Sequence, residues 1–187
     1  MKPLILLSLV LFVLVACKQE EKIAPNTTSL QSIAVIVVKP DTIPDKAGLN
    51  IKLFKDSVTS DETAIVFDHA SSLDYVFNED ALYFPGFGKV GLASVANDGN
   101  DLAINRLPFI SGMSIGLDVH AKTDGTYFLK ISYDSKIPAD VQIWVKDNYL
   151  KDSIDVRSRN YSFNVVKADT NSFGRNRFKL ILKNSGQ

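Results

Sequence analysis

Thr126-Tyr127-Phe128-Leu129-Lys130-Ile131-Ser132 decides the fold. Tyr127, Leu129 and Ile131 fall on one side of an extended chain, and Phe128 and Lys130 on the other. A period of two over this length is the pattern of a half-buried strand. The same alternation returns in Val141, Ile143 and Val145, and again in Phe178, Leu180 and Leu182. Working outward, short apolar runs separated by turn residues predict strands at 33–38, 49–54, 63–67, 81–84, 91–95, 102–105, 114–119, 126–132, 141–146, 161–165 and 177–182. Asn97-Asp98-Gly99 and Pro138-Ala139-Asp140 read as turns, and Asp124-Gly125 reads as a tight hairpin between two alternating runs. No stretch sustains a helical period behind an N-cap. Many short strands at regular spacing predict an all-β chain, an antiparallel β-sandwich of jelly-roll type with roughly ten to twelve strands.

The first residues read differently. Lys2 precedes an apolar run from Leu4 to Val15, and Leu14-Val15-Ala16 leads directly into Cys17, the chain's one cysteine. A spanning helix needs about 20 apolar residues, and this run is shorter, with charge following at once in Lys18, Glu20, Glu21 and Lys22. The layout is that of a secretory signal. A cysteine after a small residue resembles the bacterial lipobox, which implies removal of 1–16 and acylation of Cys17 with fatty chains such as palmitate. Each buried methylene of such a chain contributes about 0.8 kcal/mol, so several chains anchor stably. Residues 17–31 then form a polar tether and 32–187 the folded domain. The partner implied at this end is a membrane. The pair Glu20-Glu21 resembles the acidic surface-export signal of Bacteroidota lipoproteins, so the expected location is the outer membrane, on its periplasmic or its outer side.

Formal charge is zero, with 21 basic and 21 acidic residues. The Lys and Arg residues are scattered among acids rather than gathered in a basic stripe, which argues against nucleic acid as a partner. A single cysteine excludes an internal disulfide.

Residues 61–182 resemble a module found near the C-termini of adhesins and other cargo of type IX secretion in Bacteroidota. The resemblance rests on Asp61-Glu62-Thr63-Ala64-Ile65-Val66-Phe67, Phe77-Asn78-Glu79-Asp80-Ala81, Asp98-Gly99, Leu102-Ala103-Ile104-Asn105 and Leu107-Pro108. It continues through Ile115-Gly116-Leu117, Gly125-Thr126-Tyr127, Val141-Gln142-Ile143-Trp144-Val145-Lys146-Asp147, Tyr161-Ser162-Phe163 and Arg177-Phe178. It implies a non-catalytic β-sandwich at the cell surface. The family usually continues into a sorting domain, whose retaining role the lipid on Cys17 would take over here. Read from their own chemistry, Tyr127 and Tyr161 fit core-edge positions with a hydroxyl that reaches a partner. Asp80 and Asp147 fit loop acceptors of backbone N–H groups.

Four features carry candidate chemistry. Gly112-Met113-Ser114-Ile115-Gly116 matches the nucleophile elbow, but that motif needs a helix after the serine. Here a strand pattern follows, with His120 six residues on, about 20 Å away along the same strand. Asn97-Asp98-Gly99-Asn100-Asp101 offers oxygens for calcium through Asp98, Asn100 and Asp101. It fails the EF-hand pattern, whose twelfth position would be Pro108. His69 and His120, with no free thiol beside them, make a zinc site unexpected. Trp144, the only tryptophan, faces away from Val141, Ile143 and Val145. It is the candidate ligand contact, for a sugar ring or a protein partner. The reading is therefore a lipid-anchored binding or interaction module, not an enzyme. Its alternatives are a carbohydrate-binding lipoprotein and an accessory subunit of an outer-membrane complex.

A Cys17→Ser chain is expected in the soluble periplasmic fraction. Cell fractionation checks this, and a variant left bound to the membrane would refute the acylation.

Overall fold

Alternating burial runs through the computed structural model, which describes residues 43–185. The expected strand at 33–38, the tether, the signal segment and Cys17 lie outside the described residues. Eleven strands form: β1 (Ala47–Phe54), β2 (Ser60–Phe67), β3 (Ala81–Leu82), β4 (Val90–Val95), β5 (Asp101–Leu107), β6 (Met113–Ala121), β7 (Gly125–Tyr133), β8 (Val141–Asp147), β9 (Asp152–Asp155), β10 (Tyr161–Val165) and β11 (Phe178–Asn184). One 3₁₀ turn, Thr170–Ser172, precedes β11, and no α-helix occurs among the described residues. The chain is all-β, as its periodicity predicts. β9 was not expected; its residues Asp-Ser-Ile-Asp carry little apolar signal.

The strands form one hydrogen-bonded path, β10-β7-β1-β2-β5-β4-β6-β11-β8-β9, with β3 paired to β5. Every pairing is antiparallel except β2 with β5, where Ala64 faces Ile104 and Phe67 faces Leu107 in parallel. This corrects the expectation of a wholly antiparallel sheet. A parallel neighbour needs a long crossover, and the chain between Phe67 and Asp101, which carries β3 and β4, supplies one. The hairpin expected at Asp124-Gly125 is also corrected. β6 pairs with β4 and β11, whereas β7 pairs with β1 and β10. The turn instead carries the chain from one part of the path to another. Lys55 Nζ holds it by donating to Thr123 Oγ1 at 2.8 Å and to the Asp124 carbonyl at 2.7 Å, and Gly125 accepts φ 129°.

The buried rows are those that alternation marks. Leu49, Ile51 and Leu53 of β1, Tyr127 and Leu129 of β7, Ile143 and Val145 of β8, and Leu180 and Leu182 of β11 share one core. Each large side chain so buried contributes roughly 1.5–3 kcal/mol. The path curls back on itself. Six strands lie between β10 and β11 along it, yet Phe163 meets Phe178 with ring centroids 4.6 Å apart, and Tyr161 meets Phe178 at 6.0 Å. β4 is buried along Gly91–Ser94: Leu92 faces the core, and on the opposite face Tyr83 covers Gly91. A Cβ on Gly91 would fall 2.3 Å from the Tyr83 hydroxyl, so only glycine permits that packing.

A charged cluster pins the curl. Arg177, 2% exposed, donates through Nη2 to Asp147 Oδ2 at 2.8 Å and through Nε to both carboxylate oxygens. Its Nη1 donates to the Asn164 carbonyl at 2.7 Å and to that of Ser172. Asp147 also accepts the Tyr161 hydroxyl at 2.9 Å and the N–H groups of Tyr149 and Leu150. Burial, then the bond to Asp147, holds the Tyr161 hydroxyl well above the usual tyrosine range. The hydroxyl of Tyr127 finds its partner in the Thr123 carbonyl at 2.7 Å, and Asp80 accepts from Val76 and Arg106 N–H groups, each at 2.7 Å. The roles read for the two tyrosines and for Asp80 thus hold, whereas Asp147, read as a loop acceptor, accepts two turn N–H groups but is foremost the buried partner of Arg177 at the end of β8.

Arg177→Met is expected to lower stability by about 3–5 kcal/mol, because it strands a buried carboxylate. Adding Asp147→Asn, which keeps an acceptor and removes the charge, is expected to restore part of that loss. Urea unfolding midpoints of the two variants measure both effects.

Candidate functional site

Trp144 stands on the outward row of β8, with Ile181 of β11 on one side and Asp155 of β9 on the other in the strand register. The ring is half-buried. Its Nε1 donates to Gln142 Oε1 at 3.3 Å, and Lys183 Nζ lies 5.5 Å from the ring centre. Trp144, Ile181, Lys183 and Ser153 line an open depression of about 240 Å³. Lys179 and Lys146 form the next cross-strand pair on the same face. The sequence places this ring outward, and the structure agrees. It adds that the ring is neither sunk in the core nor fully free, but one wall of a shallow trough with a basic rim. The geometry suits a flat apolar ligand face with an anionic or hydroxylated edge.

The three candidate calcium residues are not brought together. Asp98 shapes the β4–β5 turn from within, accepting from Asn100 N at 3.2 Å, Asn100 Nδ2 at 2.9 Å and Tyr75 N at 3.2 Å. Shielding from water raises its carboxyl and these bonds outweigh that, leaving it below the ordinary range. Asp101 points elsewhere. Its Oδ2 pairs with Arg175 Nη2 at 2.7 Å, and its carboxylate joins Asp118 and His120 in a cluster within 4.8 Å. Asp118 also faces Arg175 Nε and His120 Nε2, each at 3.5 Å. Burial pushes the Asp118 carboxyl up, against the pull of His120 and Arg175. Arg175 already supplies positive charge to this cluster. It lies on the segment before β11, and nothing in the local sequence couples it to Asp101.

Ser114 is exposed on β6, beside Ile181, and six residues along the same strand from His120. No helix follows it, so the nucleophile elbow is absent. His69 is exposed and pairs with Asp45, whose Oδ1 accepts the His69 N–H at 2.9 Å; Asp68 completes the group. Cys17 lies outside the described residues. The sequence reading missed Asp118, buried on the outer row of β6 between His120 and Arg175, and the exposed Phe84 and Phe87. Phe84 is assigned to a strand by its apolar neighbours, but β3 ends at Leu82, and Pro85 with two glycines carries the chain outward. The glycines on either side of Phe87 were the available signal.

The chain matches no protein-family model, no curated protein and no solved structure.

Trp144 fluorescence is expected to respond to aqueous quenchers. Iodide should quench more strongly than caesium, because Lys146, Lys179 and Lys183 bias the local field. Equal quenching by the two ions would contradict the basic rim.

Proposed function

We propose that this chain is a non-catalytic binding module held at a bacterial outer membrane by an acylated Cys17. Its strand path is read as a two-layered, jelly-roll-like sandwich whose layers meet where β10 faces β8 and β11. This is the architecture expected of the adhesin modules of Bacteroidota that residues 61–182 resemble.

The observation that carries the reading is Trp144. A half-buried indole on the outer row of a regular sheet, with Gln142, Ser153 and Lys183 around it, is a rigid aromatic platform with polar groups at its edge. Such anchors dominate recognition surfaces, and a platform built on strands holds its geometry better than one on loops. The separation of Ser114 from His120 along β6 supports binding rather than turnover. The same trough supports a second reading, a carbohydrate-binding lipoprotein: the apolar face of a sugar ring would lie on Trp144, with its hydroxyl or carboxylate groups toward Lys183. Docking on an outer-membrane complex as an accessory subunit would use the same face.

Trp144→Ala is expected to leave the melting temperature nearly unchanged and to weaken binding at least tenfold, about 1.4 kcal/mol. A glycan array probed with the parent chain and the variant tests the sugar reading. Crosslinking in membranes from a photoreactive residue replacing Ser153 tests the protein reading. Loss of neither signal on Trp144→Ala, or turnover of a substrate by the purified chain, would overturn the proposal.

A further inference from the structure

Tyr83-Phe84-Pro85-Gly86-Phe87-Gly88-Lys89 links β3 to β4 and lays its aromatic residues out in two ways. Tyr83 is held: its hydroxyl donates to Asp61 Oδ2 at 2.8 Å, its N–H donates to the Asp101 carbonyl at 2.8 Å, and its ring stacks on His120 at 6.2 Å. Phe84 and Phe87 are not held. Phe84 is 80% exposed and Phe87 fully so. The loop that carries them is nonetheless fastened, because Lys122 donates its N–H to the Lys89 carbonyl at 2.9 Å and its Nζ to the Phe87 carbonyl at 3.3 Å.

The β1–β2 loop stands beside it. Val58 is 89% exposed, and Val58, Thr59 and Ser60 share a depression with Gly88, Lys89 and Val90. Asp56 shapes that turn by accepting from Val58 N at 3.0 Å and Thr59 N at 2.7 Å. Two pinned loops therefore present Val58, Phe84 and Phe87 to solvent at one end of the fold. Lysines surround them. Lys89, Lys122 and Lys167 border the depression beneath Tyr83, and Lys55 holds the neighbouring turn at Thr123 and Asp124. The nearby acids Asp56 and Asp124 accept backbone N–H groups, the latter from Lys167. Asp61 beneath Tyr83 is the third acid here, and four lysines against three acids leave this end positive.

Isolated phenylalanines at a projecting tip are unlike a ligand cleft, which is concave. They are also unlike a protein hot spot, which favours Trp, Tyr and Arg in a packed centre. Apolar side chains that enter the acyl boundary, ringed by lysines that meet anionic headgroups, are the chemistry of a bilayer-contacting surface. We propose that this end of the chain docks on an anionic lipid bilayer, with Val58, Phe84 and Phe87 entering the interface and Lys89, Lys122 and Lys167 facing the headgroups, while Lys55 adds its charge from the turn it holds. The contact does not depend on acylation of Cys17.

The test uses the full chain carrying Cys17→Ser, so that Phe87→Cys provides the only thiol for a bimane label. Vesicles of phosphatidylglycerol and phosphatidylcholine are expected to shift the label's emission to the blue, and 0.5 M salt or vesicles of phosphatidylcholine alone to abolish most of the shift. The same label at Ile110→Cys, in the loop before β6 and so at the other end of that strand, is expected to stay in water. Lys89→Glu with Lys122→Glu should reduce partitioning at least tenfold with the melting temperature retained. The proposal is overturned by no shift at position 87. It is equally overturned by equal shifts at 87 and 110, or by a shift that appears without vesicles as protein concentration rises, which would mark self-association.

Discussion

One buried ion pair closes this fold. Strand pairing alone would leave β10 at one end of the path and β9 at the other. Arg177 joins them indirectly. It binds Asp147 at the end of β8, the Asn164 carbonyl on β10 and the Ser172 carbonyl of the 3₁₀ turn, and its guanidinium lies 4.8 Å from the Phe163 ring and 4.7 Å from that of Phe178. Burying a guanidinium is tolerable only when its donors are satisfied, and Asp147 together with two carbonyls does this. The pair does not add much to net stability compared with an apolar substitute. It ties β10 to β8 and to the start of β11, because Arg177 binds the Asn164 carbonyl and Asp147 together.

That closure separates two surfaces. The outer row of β8 and β11, with Trp144, stands on a stretch of sheet whose backbone is paired on both sides. The tip with Phe84 and Phe87 stands on loops. The first is shaped like a platform and the second like a wedge. Asp61 serves the second. One of its oxygens receives both the Tyr83 hydroxyl and the Leu92 N–H, tying the start of the aromatic loop to β4.

Strand content was legible because burial in a sheet leaves a period of two, and the runs around Leu129, Ile143 and Leu180 carry it cleanly. Connectivity was less so. Asp124-Gly125 has the composition of a hairpin turn, but composition does not say whether the strands it joins are neighbours. Lys55, almost 70 residues earlier, takes part in that decision. The outward placement of Trp144 followed from its neighbours alone. The position of Asp101 did not, since its partner Arg175 is 74 residues away. Arg177 reads as an ordinary strand-start cation, and its burial emerges only when β8, β10 and β11 converge. Asp147, Tyr161, Phe163, Arg177 and Phe178, spread over more than 30 residues, meet in that one cluster.

The place of β11 bears on the order in which the molecule is made. It is the last described strand in the sequence, yet it lies between β6 and β8 and brings Arg177 with it. Until residues 178–184 are made, β8 and β9 therefore have no strand that pairs them to β6 and the rest of the path. Contacts between distant segments form slowly. A closing strand that comes late in the chain makes the completed sheet depend on contacts between segments far apart in sequence.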